Sequence, residues 1–364
     1  MGFNCGIVGL PNVGKSTIFN AITSANSVVG NFPFTTKEPH SGVVTVPDER
    51  LTILVKIFKP PNVIPTTIEF VDIAGLVKGA NKGEGLGNQF LAHIREVDAI
   101  AHVVRCYENE NVVHTYGSID PKRDIEIVET ELILKDIETI QKNLQELERQ
   151  SKSGDKKVRH GIEVCQKLKN HLGEGKLARM LNLDDEEKEL ACHLHLLTAK
   201  PVMFIANVDE EGLTKGNDFV KIVEQLAVHR GSKVMVVDGE MEAEIADINY
   251  DEREKFLKDL GISESSLDKV IKEGYWLLDL ITFYTHNEKE LRAWTVKKGT
   301  KAPKAAGKIH TDFEKGFIKA EVIKLKELIA VGSDAALREK GLLHIHGKDY
   351  SIEDGDVVFF RFKV

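Results

Sequence analysis

The sequence predicts an α/β protein: a mostly parallel sheet with helices on both faces, an inserted α-helical hairpin, and a small mixed module at the end. Three observations carry this. Short apolar runs at 3–9, 67–73, 99–105, 201–207 and 233–237 are separated by helical or loop stretches, the pattern of buried parallel strands joined by crossover helices. From about residue 126 to 150, Ile133, Ile137, Ile140, Leu144 and Leu147 alternate by four and three, a heptad seam. Past residue 278 the character changes to strand-like segments at 279–284, 291–297, 317–323 and 357–364, with a short helix at 305–315.

Each element follows from these patterns. The seam is followed by a polar break from Ser151 to Lys157, and Val158, Ile162, Cys165 and Leu172 then recur at helical spacing. Two antiparallel helices with the break at their tip satisfy both halves, and because strands resume only near 201 the hairpin interrupts the sheet domain. The expected division is 1–125 with 200–278 for the sheet domain, 126–199 for the hairpin and 279–364 for the last module. A chain of 364 residues is long enough for two or three cores.

Composition narrows the function. Forty-nine Lys and Arg against 57 Asp and Glu give a net charge of −8, which excludes a generally basic nucleic-acid binder and any expectation of DNA specificity. Hydrophobic residues at 42% and charged ones at 29% suit a globular protein, and no apolar run approaches the ~18 residues of a membrane span. The N-terminus shows no basic leader before its first strand, and cysteines 5, 106, 165 and 192 form no CxxC pair. A cytoplasmic protein with reduced thiols, and no membrane partner, is expected. Charge is uneven, however: residues 285–326 hold eleven Lys or Arg and five Asp or Glu. Within that stretch Lys297, Lys298, Lys301 and Lys304 cluster near Trp294, a set suited to an anionic polymer with exposed bases.

The sharpest motif is Gly9-Leu-Pro-Asn-Val-Gly14-Lys15-Ser16, which matches G-x-x-x-x-G-K-[ST] between a strand and a helix. Its glycines permit a tight loop whose N–H groups face phosphate oxygens. Asn12, Val13, Gly14, Lys15, Ser16 and Thr17 form the expected nucleotide cradle, with Lys15 between the β- and γ-phosphates as the catalytic charge and Ser16 on Mg²⁺. Downstream, Val71-Asp72-Ile-Ala-Gly75 ends an apolar run with D-x-x-G. Asp72 can hold Mg²⁺ through water, and the Gly75 N–H can sense a γ-phosphate. Between them, Asn31-Phe-Pro-Phe-Thr35-Thr36 offers a threonine for the Mg²⁺ shell.

These runs, with Gly83-Glu-Gly-Leu-Gly-Asn-Gln-Phe-Leu91, resemble the Obg-related translation-factor GTPases, and most closely their YchF branch, the Obg-like ATPases. The resemblance spans essentially the whole chain. It implies an OBG-type G domain, a coiled-coil insertion and a C-terminal ubiquitin-like TGS domain of β-grasp fold. It also implies a ribosome-associated nucleotide hydrolase, meeting the large subunit or the whole ribosome and its ribosomal RNA. It makes Thr36 a magnesium ligand, Asn12 a candidate ligand for K⁺, and His114 a catalytic histidine.

Base recognition departs from the GTPase pattern. Guanine is read by N-K-x-D, but here the residues after the apolar run are Asn207-Val208-Asp209-Glu210. Val208 replaces the lysine that covers the ring. Glu210 is one methylene too long for the bidentate contact, so preference for guanine should collapse. The resemblance agrees, since the YchF branch prefers ATP; a degenerate pocket that still selects guanine is the alternative. Leu76 stands where Ras-like proteins carry a water-orienting glutamine, so hydrolysis needs another source of stabilisation. The glycines at 75, 79, 83, 85 and 87 suit a mobile switch. The leading expectation is an Mg²⁺-dependent, ATP-hydrolysing switch. An Obg-type GTPase and a ribosome- or RNA-binding scaffold with barely hydrolysed nucleotide are the competing ones.

Overall fold

The computed structural model describes residues 3–25, 40–73, 86–151, 155–248, 264–332 and 339–363, with residues 252 and 257 besides. The chain forms two compact units, 1–43 with 69–270 and 44–68 with 271–364.

The first unit is built on a sheet of order β2-β4-β1-β5-β6-β7, with β1 at Asn4–Val8, β2 at Ser41–Thr45, β4 at Thr67–Asp72, β5 at Ala99–Arg105, β6 at Val202–Val208 and β7 at Lys233–Asp238. The β4-β1-β5-β6-β7 ladders are parallel throughout. Every residue of β5 and β6 is buried, which is why these strands read as unbroken apolar runs rather than as alternation. The expected strands therefore stand within a residue or so of the observed ones. The edge strand β2 was not anticipated; only one of its five residues is buried, so it leaves little hydrophobic signature.

The helical hairpin consists of α4 at Pro121–Gln150 and α5 at Lys156–Gly173. Asp120 caps α4 by accepting from Arg123 N at 3.1 Å and Pro121 occupies its first turn, so the helix starts earlier than the heptad seam alone suggested. Asn143 meets Cys165, and Leu147 lies over Gly161, a pairing that runs in opposite directions along the two helices. Ile133, Ile140 and Leu144 share one core with Val164, Cys165, Leu168 and Leu172, and Ile137, Leu147 and Ile162 pack against it. Two buried carboxylates join the base of the hairpin to the sheet. Asp136 accepts from Leu197 N, Thr198 N and Thr198 Oγ at 2.8, 2.8 and 2.6 Å, just ahead of β6. Glu129 takes both Nε and Nη2 of Arg230, the last residue of the helix Asp218–Arg230.

The second unit carries a six-stranded mixed sheet of order β11-β10-β12-β8-β9-β3, with β3 at Asn62–Ile64, β8 at Leu280–His286, β9 at Glu290–Lys297, β10 at Phe317–Ile323, β11 at His344–His346 and β12 at Val357–Phe362. Residues 44–68, expected in the nucleotide domain, belong here instead. The physical reason is threefold: β3 extends the sheet in parallel with β9, the helix Glu49–Phe58 buries Leu51 and Leu54 beside Tyr284, Leu291 and Ala293, and Asp48 and Arg50 bond to Tyr284 and Asp354. The expected helix at 305–315 is two helices, Ala302–Ile309 and Thr311–Lys315, divided at the extended residue His310, whose ring caps the second. β3 and β11, of three residues each, were too short to announce themselves.

Candidate nucleotide site

The phosphate loop leaves β1 and enters α1, Lys15–Ala25, directly. Two of its residues take left-handed backbone angles, Asn12 at φ 63° and Gly14 at φ 89°. Asparagine tolerates this conformation, and glycine adopts it without cost. Gly14 has a second reason to lack a side chain, since a Cβ there would collide with Asn207 Nδ2. Gly9 has a related one: its Cβ would lie 2.7 Å from the Val103 carbonyl on the neighbouring strand.

Asn207, at the end of β6, braces this loop. Its Nδ2 donates to Val13 O at 2.9 Å and its Oδ1 accepts from Gly239 N at 3.1 Å, so both ends of one buried amide are used. Gly239 opens the helix Gly239–Asp247, whose N-cap is Asp238. Asn207 thus works as a strut between the phosphate loop and the next helix, and it also lines the cavity behind Gly14.

On the magnesium side, Lys15 Nζ bonds Asp72 Oδ1 at the end of β4, and Ser16 Oγ lies 3.5 Å from Asp72 Oδ2. The lysine charge, the hydroxyl and the carboxylate therefore converge. Ser16 and Asp72 are hard oxygen donors, the set that suits Mg²⁺ held partly by water and phosphate. Among the described residues no cluster of three or more His, Cys, Asp or Glu is placed to hold a metal. Thr35, Thr36, Gly75, Leu76 and the glycines 79, 83 and 85 lie outside the described residues.

Behind Gly14 and Thr17 opens a cavity of about 650 Å³, lined by Tyr107, Glu108 and Asn109 on one side, by Asn207, Val208, Asp209 and Glu210 below, and by Asp238, Gly239, Glu240, Met241 and Glu244 opposite. Val208 is buried; Asp209 caps the helix Glu210–Lys215 through Gly212 N at 2.8 Å, and Glu210 is that helix's first residue. Six carboxylates and no lysine or arginine stand among these residues. Burial pushes Asp238 above the usual carboxylate range despite the N–H groups of Met241 and Glu240 that it accepts, and burial raises Tyr107 as well. The sequence reading assigned Asn207, Val208 and Glu210 and noticed Val237-Asp238-Gly239 where the second base loop belongs, but not the wall that continues through Glu240, Met241 and Glu244. The signal was available in Val237-Asp238-Gly239-Glu240, a strand end running into a helix.

Two expected residues are placed differently. Asn12 does not line the cavity; its Nδ2 donates to Val113 O at 3.1 Å. His114 does not line it either. The His114 ring is buried, its Nδ1 accepts from Tyr116 N at 3.2 Å, and its Nε2 therefore donates to Asp124 Oδ2 at 2.9 Å. Both ring nitrogens are occupied by the protein itself. Arg105, which the sequence reading passed over, lies fully buried at the end of β5 and donates to the carbonyls of Tyr107, Asn109 and Val112.

The C-terminal basic cluster is thinner than its sequence suggests. Lys304 pairs with Glu314 at 2.6 Å, and Lys301 donates to Asp349 O and Ser351 Oγ. Trp294 is half-buried: its Nε1 donates to Thr285 Oγ1, its ring stacks on Phe283, and Arg292 lies 4.1 Å from its centre. It belongs to the core of its unit, and an RNA base would have to displace Arg292 to stack there. Lys297 and Lys298 remain exposed at the strand end.

A phosphate loop entering its helix from a parallel strand, with Asp72 from the neighbouring strand beside Ser16, defines a nucleotide hydrolase of the P-loop G-domain class. A family model described as 50S ribosome-binding GTPase matches residues 4–158, and the YchF-GTPase C-terminal model, described as a protein of unknown function, matches 280–363. The chain is 50% identical over 364 residues to the ribosome-binding ATPase YchF of Escherichia coli O157:H7, and 48% over 366 residues to that of Bacillus subtilis (strain 168), each alignment covering all of both chains. The solved structure of the Schizosaccharomyces pombe YchF GTPase superposes with a TM-score of 0.89 at 37% identity, covering 99% of this chain and 98% of that one. The chain belongs to the YchF family.

Proposed function

We propose that this protein binds ATP in preference to GTP, hydrolyses it with Mg²⁺, and acts in the cytoplasm as a ribosome-associated regulatory switch. The observation that carries the preference is the wall of the cavity. Guanine presents O6, an acceptor that needs a donor, and an N1–H/N2–H₂ edge that an aspartate normally grips. Glu210 stands in place of that aspartate, Val208 in place of the ring-covering lysine, and the remaining carboxylates offer acceptors only. Adenine presents an amino donor at N6, which such a wall can accept.

Lys15 would leave Asp72 for the β/γ-phosphates as nucleotide enters, and the N–H groups of the loop would hold the phosphate oxygens. Ser16 and Asp72, with Thr36, would hold Mg²⁺, which neutralises charge on the phosphates when bound. With Leu76 in the glutamine position, we assign the missing electrostatic help to a K⁺ ion near Asn12. His114, tied to Asp124, reaches the reaction only if segment 109–116 rearranges. Ribosome association is supported by the bacterial relatives, which are ribosome-binding ATPases, and by the matched domain family. Equilibrium binding of ATP and GTP to purified protein, each with Mg²⁺ and with Lys15→Ala as control, tests the reading. GTP bound as tightly as ATP would overturn the preference, and unchanged hydrolysis in Lys15→Ala would overturn the site.

A further inference from the structure

Arg105 is the largest fully buried side chain among the described residues, and among them it forms no ion pair with a carboxylate. Instead its Nε donates to Tyr107 O at 3.1 Å, Nη1 to Val112 O at 3.0 Å and Nη2 to Asn109 O at 3.1 Å, while its guanidinium lies 4.8 Å from the centre of the Tyr107 ring. The planar fork of arginine spans three carbonyls that are two, four and seven residues onward. A lysine, with one nitrogen, has no such reach.

The segment it gathers touches the nucleotide site at both ends. Tyr107, Glu108 and Asn109 form one wall of the cavity, and the carbonyl of Val113 receives Asn12 of the phosphate loop. We propose that Arg105 is a positioning residue of the nucleotide site, fixing the base wall and the phosphate-loop asparagine together through the backbone it holds. This inference rests on the reading of the cavity as the ATP site. It assigns a task to a residue that never touches the ligand. Buried cations on backbone carbonyls are costly to build, and the shape of the segment is what the arginine secures in return.

The test is the dissociation constant of a fluorescent ATP analogue with Mg²⁺ for the full chain and for Arg105→Met, Arg105→Lys, Asn12→Ala and Arg105→Met/Asn12→Ala, with circular dichroism as the folding control. Arg105→Met is expected to weaken binding about 10-fold or more, because both contacting stretches lose their geometry at once. Arg105→Lys should restore only a minor part of that loss, because the charge returns without the fork. The double variant should bind no more weakly than Arg105→Met, because the anchor of Asn12 is already gone. Parental affinity in Arg105→Met, full rescue by Arg105→Lys, or additive losses in the double variant would each overturn the inference. Should Arg105→Met fail to fold, Arg105→Lys keeps a buried cation and carries the test, with parental affinity refuting it. Failure of the unsubstituted protein to bind the analogue would instead refute the ATP-site reading itself.

Discussion

Asn207→Ala removes the strut that joins the phosphate loop to the helix Gly239–Asp247. Two hydrogen bonds disappear, Nδ2 to Val13 O at 2.9 Å and Gly239 N to Oδ1 at 3.1 Å, in a place where Asn207 is 4% exposed. A backbone carbonyl and a backbone N–H are left buried and unpaired, at about 1–3 kcal/mol each, so about 2–6 kcal/mol is lost if no water enters. Both groups belong to the phosphate loop and to the start of the facing helix, so the loss falls on local opening of those stretches before it falls on the whole unit. Amide hydrogen exchange reads this directly. At the lower bound of about 2 kcal/mol, exchange around Gly14 and Gly239 should accelerate roughly 30-fold while the hairpin core stays protected. Asn207→Asp sharpens the test, because a carboxylate still accepts from Gly239 N but faces Val13 O with a lone pair. Protection should then fail on the phosphate-loop side alone. Unchanged exchange at the phosphate loop in both variants would refute the strut.

Three further outcomes are expected. Val208→Lys with Glu210→Asp restores the two elements of a guanine reader, and competition between ATP and GTP should shift toward GTP by about 10² or more; a ratio equal to the parent's would refute the base argument. Asp48 is pushed up by burial but pulled below the ordinary carboxylate range overall by bonds from Arg50 and Tyr284, so its stabilisation is complete above the unfolded pKa and is lost as pH falls through the lower folded value. Asp48→Asn should therefore weaken the second unit at neutral pH, with the gap to the parent closing below about pH 4, read by fluorescence of Trp276 and Trp294, which both lie in that unit; a gap that does not change with pH would refute it. Lys297→Glu with Lys298→Glu should weaken ribosome co-sedimentation and flatten its salt dependence, leaving ATP turnover of the isolated protein unchanged; undiminished sedimentation at every salt concentration would place the contact elsewhere.

What was legible in the sequence was what burial or phosphate chemistry imposes on consecutive residues. β5 and β6 are buried on every side chain, so their apolar runs gave their limits almost to the residue. The heptad seam gave the hairpin, because Ile133, Ile140 and Leu144 must face Val164 and Leu168 in one core. The phosphate motif placed Lys15 and Ser16, and Asp72 joined them as spacing implied. Residues 44–68 were misplaced because their partners are distant in sequence: Leu54 packs among residues near 284–328, and Asn62 pairs with Glu290. No local pattern records that. The lysine cluster shows a different limit, since counting charges over 285–326 records Lys304 and Glu314 but not that the two form a pair.

The same distinction explains how a site of this kind can exchange one base for another. In N-K-x-D the asparagine looks like part of the reader because it stands first in the motif. Here one of its two N–H donors goes to Val13 O and its oxygen accepts from Gly239 N, groups that must be held whichever base arrives. The two positions that differ, Val208 and Glu210, carry none of that bracing: Val208 is an apolar floor, and Glu210 begins a helix already capped by Asp209. On the proposed ATP-site reading, replacing them would alter what the cavity accepts and leave the phosphate loop where it was. Arg105 divides the labour again on the other wall, holding Tyr107 and Asn109, both of which line the cavity, by their carbonyls. On that reading the bracing falls mainly to Asn207 and Arg105, and the base preference to Val208 and Glu210. A change of nucleotide preference then costs little stability, because the residues that set it are not the ones that hold the site together.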